Sequence, residues 1–372
     1  MTGIGHYTRE LILRLPRADP ETTYVAWYLN AGRLLRPWRW NRRLLPGPPN
    51  LQERWTPFPS AWFERTSLRW ELPRLEWLTR FDVLFAPNFV PPPSRTRCLV
   101  LTIHDLAFRL HPETAPQATR RWLTRLDRAI SQAAEIVVVS DSTRRDLLDL
   151  YPVDAGRVTV IHHGIDPERF RPAPPHEVAR VRRRYGIDGP YVVFLGGLDP
   201  RKNLPALLAA WSLLPDDRRP TMVLAGGSVP WNPEGRIQLE EALGRLPQRR
   251  RRQIVLTGYV GHRDKVALLT GAEGLVFPSL YEGFGLPIVE AMAVGAPVLT
   301  STASAMPEVA QDAAVLVDPR SEEAIAEGLD RLLGDEDLRT RLREAGRERV
   351  RGLSWDDAAR RHVEVLHRAA RR

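Results

Sequence analysis

The chain predicts an α/β protein built on parallel sheets, and two observations carry that reading. Ten short runs are predominantly apolar or β-branched, without polar alternation, as strands covered on both faces are. They lie at 81–86, 98–103, 135–139, 158–162, 191–195, 221–225, 254–257, 275–277, 297–300 and 314–317. Amphipathic helical segments such as 118–134 and 204–214 separate most of them, which is the βαβ pattern.

With 372 residues and ~150 residues to a domain, two domains are expected. Prolines and glycines cluster at 170–190 (Phe170-Arg171-Pro172-Ala173-Pro174-Pro175, then Gly186-Ile187-Asp188-Gly189-Pro190) around a basic helix at 178–185. The expected division is therefore a first domain over 1–170, a linker at 171–190 and a second domain over 191–353. A terminal helix, 354–372, follows with no strand after it.

Apolar content of 43% with 27% charged residues fits a globular protein and excludes a disordered or fibrous one. Cys98 is the single cysteine, so an intramolecular disulfide and a cysteine-rich metal site are excluded and a reducing compartment is expected. No apolar run approaches the ~18 residues of a membrane span, and the N-terminus lacks the pattern of a signal peptide. The expected location is the cytoplasm.

The formal charge of +9 comes almost wholly from arginine; of 54 basic residues only Lys202 and Lys265 are lysines. Such a bias suits a GC-rich genome, and it raises interest in positions that keep a compact ammonium. The stretch 33–77 holds nine arginines, four glutamates and six of the eleven tryptophans. Arginine beside tryptophan suits a surface helix on anionic lipid. Ordinary amphipathic helices with core tryptophans would look the same, and no nucleic-acid recognition motif is present.

Two glycine-bearing turns follow strands in the second half. The first, Gly196-Gly197-Leu198-Asp199-Pro200-Arg201-Lys202-Asn203, joins close backbone approach to adjacent positive charge, which suits a diphosphate. A structural turn with solvated charges is the plainer alternative. In the second, Glu282-Gly283-Phe284-Gly285-Leu286-Pro287, Pro287 reads as a first-turn helical residue, aiming the Gly285 and Leu286 amides at an anion. Glu282 then precedes the helix and Glu290 lies one turn inside it. Two carboxylates flanking a phosphate site can accept hydroxyls at both ends of a sugar nucleotide.

Glu282 and Glu290 form an E-x7-E motif within PSLYEGFGLPIVEAMAVGAPV, which closely resembles the retaining GT-B glycosyltransferases of family 4. The likeness continues, in family order, through GIGHYTREL (3–11), TIHDL (102–106), VIHHGIDPERF (160–170), GGLDPRKNLPALLAAW (196–211), LTGYV (256–260) and PEVAQDAAVLVDP (307–319). The resemblance implies two Rossmann-like domains facing a cleft, the C-terminal helix crossing back to the first. It also implies Glu282, with amides around Gly283, Phe284, Gly285 and Leu286, as the holder of donor-sugar hydroxyls, and Glu290 as the ribose ligand. Arg201 and Lys202 would clamp the diphosphate beside Gly196 and Gly197, and the base would rest against Gly258, Tyr259 and Val260. His104, of an HD pair, would lie beside the anomeric region, and Gly3 and Gly5 would match a glycine loop near the donor phosphates and the acceptor. Asp105 reads as a local structural partner.

Two departures accompany the likeness. Relatives carry a strand before the glycine loop, whereas here Gly3 stands two residues from the start; and some place an arginine where this chain has Gly197, leaving that duty to Arg201. Adjacent His162 and His163 would point to opposite faces of a strand, and no Asp-x-Asp pair occupies a glycine-rich donor loop. Metal-free catalysis without a cofactor is therefore expected.

The wording is most like bacterial mannosyltransferases of O-antigen or exopolysaccharide assembly. It implies transfer of mannose from GDP-mannose, with UDP-glucose and dTDP-rhamnose as alternative donors, to a glycan or polyprenyl-diphosphate-linked oligosaccharide at the inner membrane face. A catalytically silent binding protein of the same fold is the rival reading.

Overall fold

The structure, a computed structural model, describes residues 3–30, 47–57, 59, 62–63, 66, 70–114, 120–227 and 233–372. The chain divides into two compact units. The first comprises Met1–Asp105, Gln117–Gly164 and Trp355–Arg372; the second comprises Leu106–Pro116 and Ile165–Ser354.

The first unit opens with helix α1 (Gly3–Ala18), whose Tyr7, Leu11 and Leu15 recur every fourth residue and are buried, the spacing of an inward helical face. Gly3 and Gly5 therefore occupy the first turn of a helix instead of the glycine loop expected. Strands β1 (Tyr24–Leu29) and β2 (Leu51–Thr56) pair in parallel as a separate two-stranded sheet. The main sheet holds β3 (Leu84–Ala86), β4 (Leu99–Ile103), β5 (Glu135–Val138) and β6 (Val158–Val160), parallel and in that order. Helix α2 (Arg120–Gln132) lies between β4 and β5 in the chain, and α3 (Asp141–Leu150) follows β5. The Ser140 hydroxyl starts α3 by accepting from the Thr143 amide at 3.0 Å, a side-chain cap for an otherwise orphaned donor.

Two expectations change here. Periodicity missed β1 and β2, and β2 falls inside the 33–77 stretch read as helical. Strand β6 stops at Val160, so His162 and His163 lie beyond it and the opposite-face argument does not apply to them. Much of 33–77 lies outside the described residues. Within the described part, Trp62, Trp70 and Trp77 are exposed, so they are not core tryptophans.

After a short helical turn at Ala107–Leu110, the second unit's first long helix is α4 (Pro175–Tyr185), within the proline-rich stretch; Gly186 ends it in the left-handed region at φ 63°. Six parallel strands follow: β7 (Tyr191–Leu195), β8 (Thr221–Ala225), β9 (Ile254–Gly258), β10 (Gly274–Phe277), β11 (Val298–Ser301) and β12 (Val315–Val317). Their order is β12-β11-β10-β7-β8-β9, so the chain builds outward from β7 in one direction and then returns to build in the other. The longer helices between are α5 (Leu204–Leu213), α6 (Glu234–Arg245), α7 (His262–Thr270) and α8 (Leu286–Ala293), followed by α9 (Glu322–Gly334) and α10 (Glu336–Arg351). β7 and β10 are buried at every residue, which is why they read as unbroken apolar runs.

The last helix, α11 (Trp355–Ala370), belongs to the first unit, as expected. Trp355, Ala359 and Val365 join the core of Tyr7, Leu11, Leu15, Val100 and Val137. Arg14 Nε reaches Asp356 Oδ1 at 2.9 Å, while Arg368 and Arg372 hold the fully buried Glu135 at 3.2 and 3.0 Å. A buried carboxylate requires such partners.

Candidate active site

β7 and β10 are the neighbouring central strands between which the second sheet's order reverses. Connections leave such a pair towards opposite faces, and the crevice at the strands' carboxyl ends is where open parallel sheets bind ligands. Both glycine-bearing turns emerge there, after Leu195 and after Phe277.

The first turn is held by its own side chains. Asp199 Oδ1 accepts from the Arg201 amide at 3.0 Å and faces the Arg201 guanidinium at 3.2 Å. Asn203, at φ 61°, donates from Nδ2 to Pro319 O at 2.6 Å and to Pro278 O at 3.2 Å. The second turn is joined to it directly, because the Leu280 amide donates to Arg201 O at 2.8 Å. From the β11 side, the Ser301 hydroxyl donates to Ser279 O at 2.7 Å and the Ser304 hydroxyl to Glu282 O at 2.6 Å. Ser301 and Ser304 fall outside the family wording, whereas Asp199 and Asn203 belong to the first glycine-bearing turn.

Lys202 and Glu282 are brought together as an ion pair. Their side chains are 15% and 12% exposed, so each ion is largely withdrawn from water and depends on its partner. Lys202 Nζ also stands 4.8 Å from the centre of the Phe277 ring, an attraction between cation and ring face. Arg201 is turned to Asp199, so the two cations expected to clamp a diphosphate each face a carboxylate.

Gly285, at φ 96°, caps α8, and Pro287 lies in its first turn as expected. Glu290 stands inside that helix with 9% of its side chain accessible, and Lys265 Nζ of α7 lies 2.6 Å from its Oε1. Burial pushes the Glu290 carboxyl above the ordinary range, and Lys265 opposes that shift. The only sequence signal for Lys265 was its survival as lysine in an arginine-rich chain. Phe284 is buried, so its side chain serves the core.

The loops after β8 and β9 close the row. Gly226 donates its amide to Gly258 O at 3.0 Å, and the Leu198 amide donates to Gly227 O at 3.1 Å. A Cβ on Gly226 would stand 1.6 Å from Gly196 O, so only glycine lets these backbones approach. Gly258 ends β9 at φ 64° beside a register shift against β8. Beyond it Tyr259 is exposed and Val260 buried.

In the first unit, His104 follows β4 and is buried. Its Nε2 lies 2.9 Å from Pro87 O. A carbonyl can only accept, so the neutral ring carries its proton on Nε2 and offers Nδ1 as an acceptor. Burial holds the imidazole below its ordinary value, favouring that neutral form. Tyr7 meets the ring edge-on at 4.8 Å, and its hydroxyl lies 2.7 Å from His362 Nε2 and 3.0 Å from Thr102 Oγ1.

Residues 1–169 match the family model described as Glycosyltransferase Family 4, and residues 179–349 match Glycosyl transferases group 1. An O-antigen chain mannosyltransferase B of Escherichia coli is 30% identical over 288 residues, 76% of this chain and 73% of that one. A serotype-specific mannosyltransferase, WbdA, of the same organism is 28% identical over 282 residues; these are 74% of this chain and 34% of WbdA, so the chain spans about a third of that relative. Among solved structures, Anabaena HepE in complex with UDP and glucose superposes with a TM-score of 0.71 at 18% identity, over 98% of this chain and 96% of that one. At that identity the likeness concerns the fold.

Proposed function

The chain belongs to the group-1, family-4 glycosyltransferases, and from that premise we propose that it moves mannose from GDP-mannose onto a glycan or polyprenyl-diphosphate-linked oligosaccharide in cell-surface polysaccharide synthesis, retaining the anomeric configuration without a divalent cation. The observation that carries the proposal is the Lys202–Glu282 pair at the reversal of the second sheet. A cation and an acceptor-only carboxylate stand together there, the two groups that a diphosphate joined to a sugar calls for.

In this reading the diphosphate draws Lys202 to itself, and Arg201 adds charge to the developing negative oxygen of the leaving group. Glu282 turns to the donor-sugar hydroxyls, assisted by the amides of 283–286, and Glu290 takes the ribose. His104 accepts a sugar hydroxyl through Nδ1 as a neutral group. The acceptor hydroxyl attacks the anomeric carbon on the face from which the phosphate oxygen departs. That oxygen takes the hydroxyl proton as the old bond breaks, leaving nucleoside diphosphate and the new glycoside.

Relatedness to mannosyltransferases supports GDP-mannose. The UDP and glucose bound by HepE favour the second reading, a UDP-glucose donor. Thermal shifts with GDP, UDP and dTDP, each with and without EDTA, decide between them. A ligand at ~100 times its Kd adds ~2.7 kcal/mol to the folded state. A GDP shift indifferent to EDTA is expected; a UDP shift selects the second reading, loss of the shift in EDTA overturns the cation-free mechanism, and no shift from any nucleotide points to a silent relative.

The reading also places the protein peripherally on anionic lipid at the inner face of the plasma membrane. Among the described residues no helix is long and apolar enough to cross a membrane. Trp62, Trp70 and Trp77 are 70%, 59% and 62% exposed, and the Arg74 guanidinium lies 5.5 Å from the Trp77 ring centre. Amphipathic rings beside cations suit the headgroup level. Flotation with anionic but not neutral liposomes is expected, and protein confined to the aqueous fraction in both refutes attachment.

A further inference from the structure

The two lysines of the chain hold the two glutamates of its E-x7-E motif, and a role of Lys202 with diphosphate leaves Lys265 unexplained. We infer that Lys265 is a specificity-determining positioning residue: it holds Glu290 as a carboxylate with one oxygen engaged, so that the site selects ribonucleoside over 2′-deoxyribonucleoside diphosphates. The inference rests on the reading of Glu290 as the ribose ligand.

Lys265 is itself fixed. Its Nζ lies 2.6 Å from Glu290 Oε1 and 4.9 Å from the centre of the Phe170 ring. Phe170 meets His262 edge-on at 5.0 Å, and His262 Nε2 lies 2.8 Å from Arg169 O. The ammonium is thus placed by α7 and by the segment before α4.

The chemistry follows from what each protonation state can do. An ionised carboxylate only accepts, and the vicinal hydroxyls of ribose are two donors; a protonated carboxyl would spend one oxygen as a donor and read the diol less strictly. Burial raises the Glu290 carboxyl, and Lys265 is the cation in contact that opposes the shift. An arginine would also supply charge, but its planar fork tends to cover both carboxylate oxygens, whereas an ammonium is a point donor. That distinction gives a reason for lysine here in a chain that otherwise uses arginine. A nucleotide lacking the 2′-hydroxyl leaves part of a buried carboxylate unpaired, and sites that bond a hydroxyl reject analogues without it strongly.

The test is calorimetric titration of the full chain with GDP, 2′-deoxy-GDP, UDP, 2′-deoxy-UDP and inorganic pyrophosphate. The unaltered protein is expected to prefer the ribose form of its nucleotide by about tenfold or more. Lys265→Met and Lys265→Arg are both expected to reduce that preference to about threefold or less, with pyrophosphate affinity unchanged. Lys265→Arg also keeps the melting temperature, so a purely structural charge would be rescued by it. Full preference in Lys265→Arg overturns the inference, and so does an unaltered protein that binds both sugar forms equally; the latter leaves the diphosphate reading standing. Absence of binding by any nucleotide overturns the ribose reading and this inference with it. Should Lys265→Met fail to fold, Lys265→Met/Glu290→Gln removes charge and partner together, and retention of the preference there is equally fatal.

Discussion

Replacing Glu282 by glutamine is expected to separate turnover from nucleotide affinity. In the free protein Lys202 is bound to Glu282, both largely buried. An incoming diphosphate has to draw the ammonium away or share it. Unit charges ~4 Å apart attract by ~4 kcal/mol at an effective dielectric of ~20, and most of that is recovered in the new Lys202–phosphate contact. Glutamine keeps the shape and removes the competing charge, so a residual gain of ~1–2 kcal/mol should appear as roughly 5- to 30-fold tighter binding of nucleoside diphosphate. The same change removes the charged acceptor for donor-sugar hydroxyls, and losses at preorganised electrostatic groups run to ~10²–10³ in kcat. Lys202→Ala, in contrast, should weaken binding and turnover together. Calorimetry with the nucleoside diphosphate and a transfer assay with the nucleotide sugar read the two quantities separately. Tenfold weaker diphosphate binding by Glu282→Gln, or kcat within threefold of the unaltered protein, would refute the exchange of partners.

Two further outcomes follow from burial and backbone geometry. Burial lowers the His362 imidazole from 6.5 to about 4; the unfolded chain then binds the proton that the folded chain excludes, so stability rises with pH across that interval and about 3 kcal/mol is lost on descending it. Melting curves from pH 4.5 to 7.5 should show this slope, and His362→Gln, which removes the imidazole, should reduce it, the buried His104 and His163 imidazoles supplying the rest; equal slopes would refute the assignment. Gly226→Ala should destabilise by at least ~3 kcal/mol, since its Cβ would strike Gly196 O, whereas Gly258→Ala, with open space around it, should cost only ~1–2 kcal/mol of left-handed strain. Denaturant midpoints of the two variants measure the contrast, and equal losses would show that close approach at Gly226 is not what demands glycine.

The ten apolar runs all became strands; the central ones, β4, β5, β7, β10 and β11, are buried at every residue and so show no polar face. β1 and β2 were illegible for the opposite reason: β1 is half-buried at every residue and β2 carries Gln52, Glu53 and Arg54. Their pairing joins segments more than twenty residues apart, which no local period records. The glycine loop expected at Gly3 and Gly5 is a helical turn because Tyr7, Leu11 and Leu15 give that segment an inward face. Glu282, Glu290, Lys202 and His104 could be named from motif wording because each belongs to a short contiguous run.

Fold class, the strands of both main sheets and the two glycine-bearing turns were legible along the chain, since those depend on periodicity and on neighbours within a few residues. Which charges meet depends on the folded arrangement. Lys202 and Glu282 are eighty positions apart, and Lys265 and Glu290 twenty-five; strand order places the loops of the first pair side by side, and helices α7 and α8 bring the second pair within reach. A buried ion requires a counter-ion in space, not along the chain, so the two lysine–glutamate pairs became visible only once the sheet had assembled.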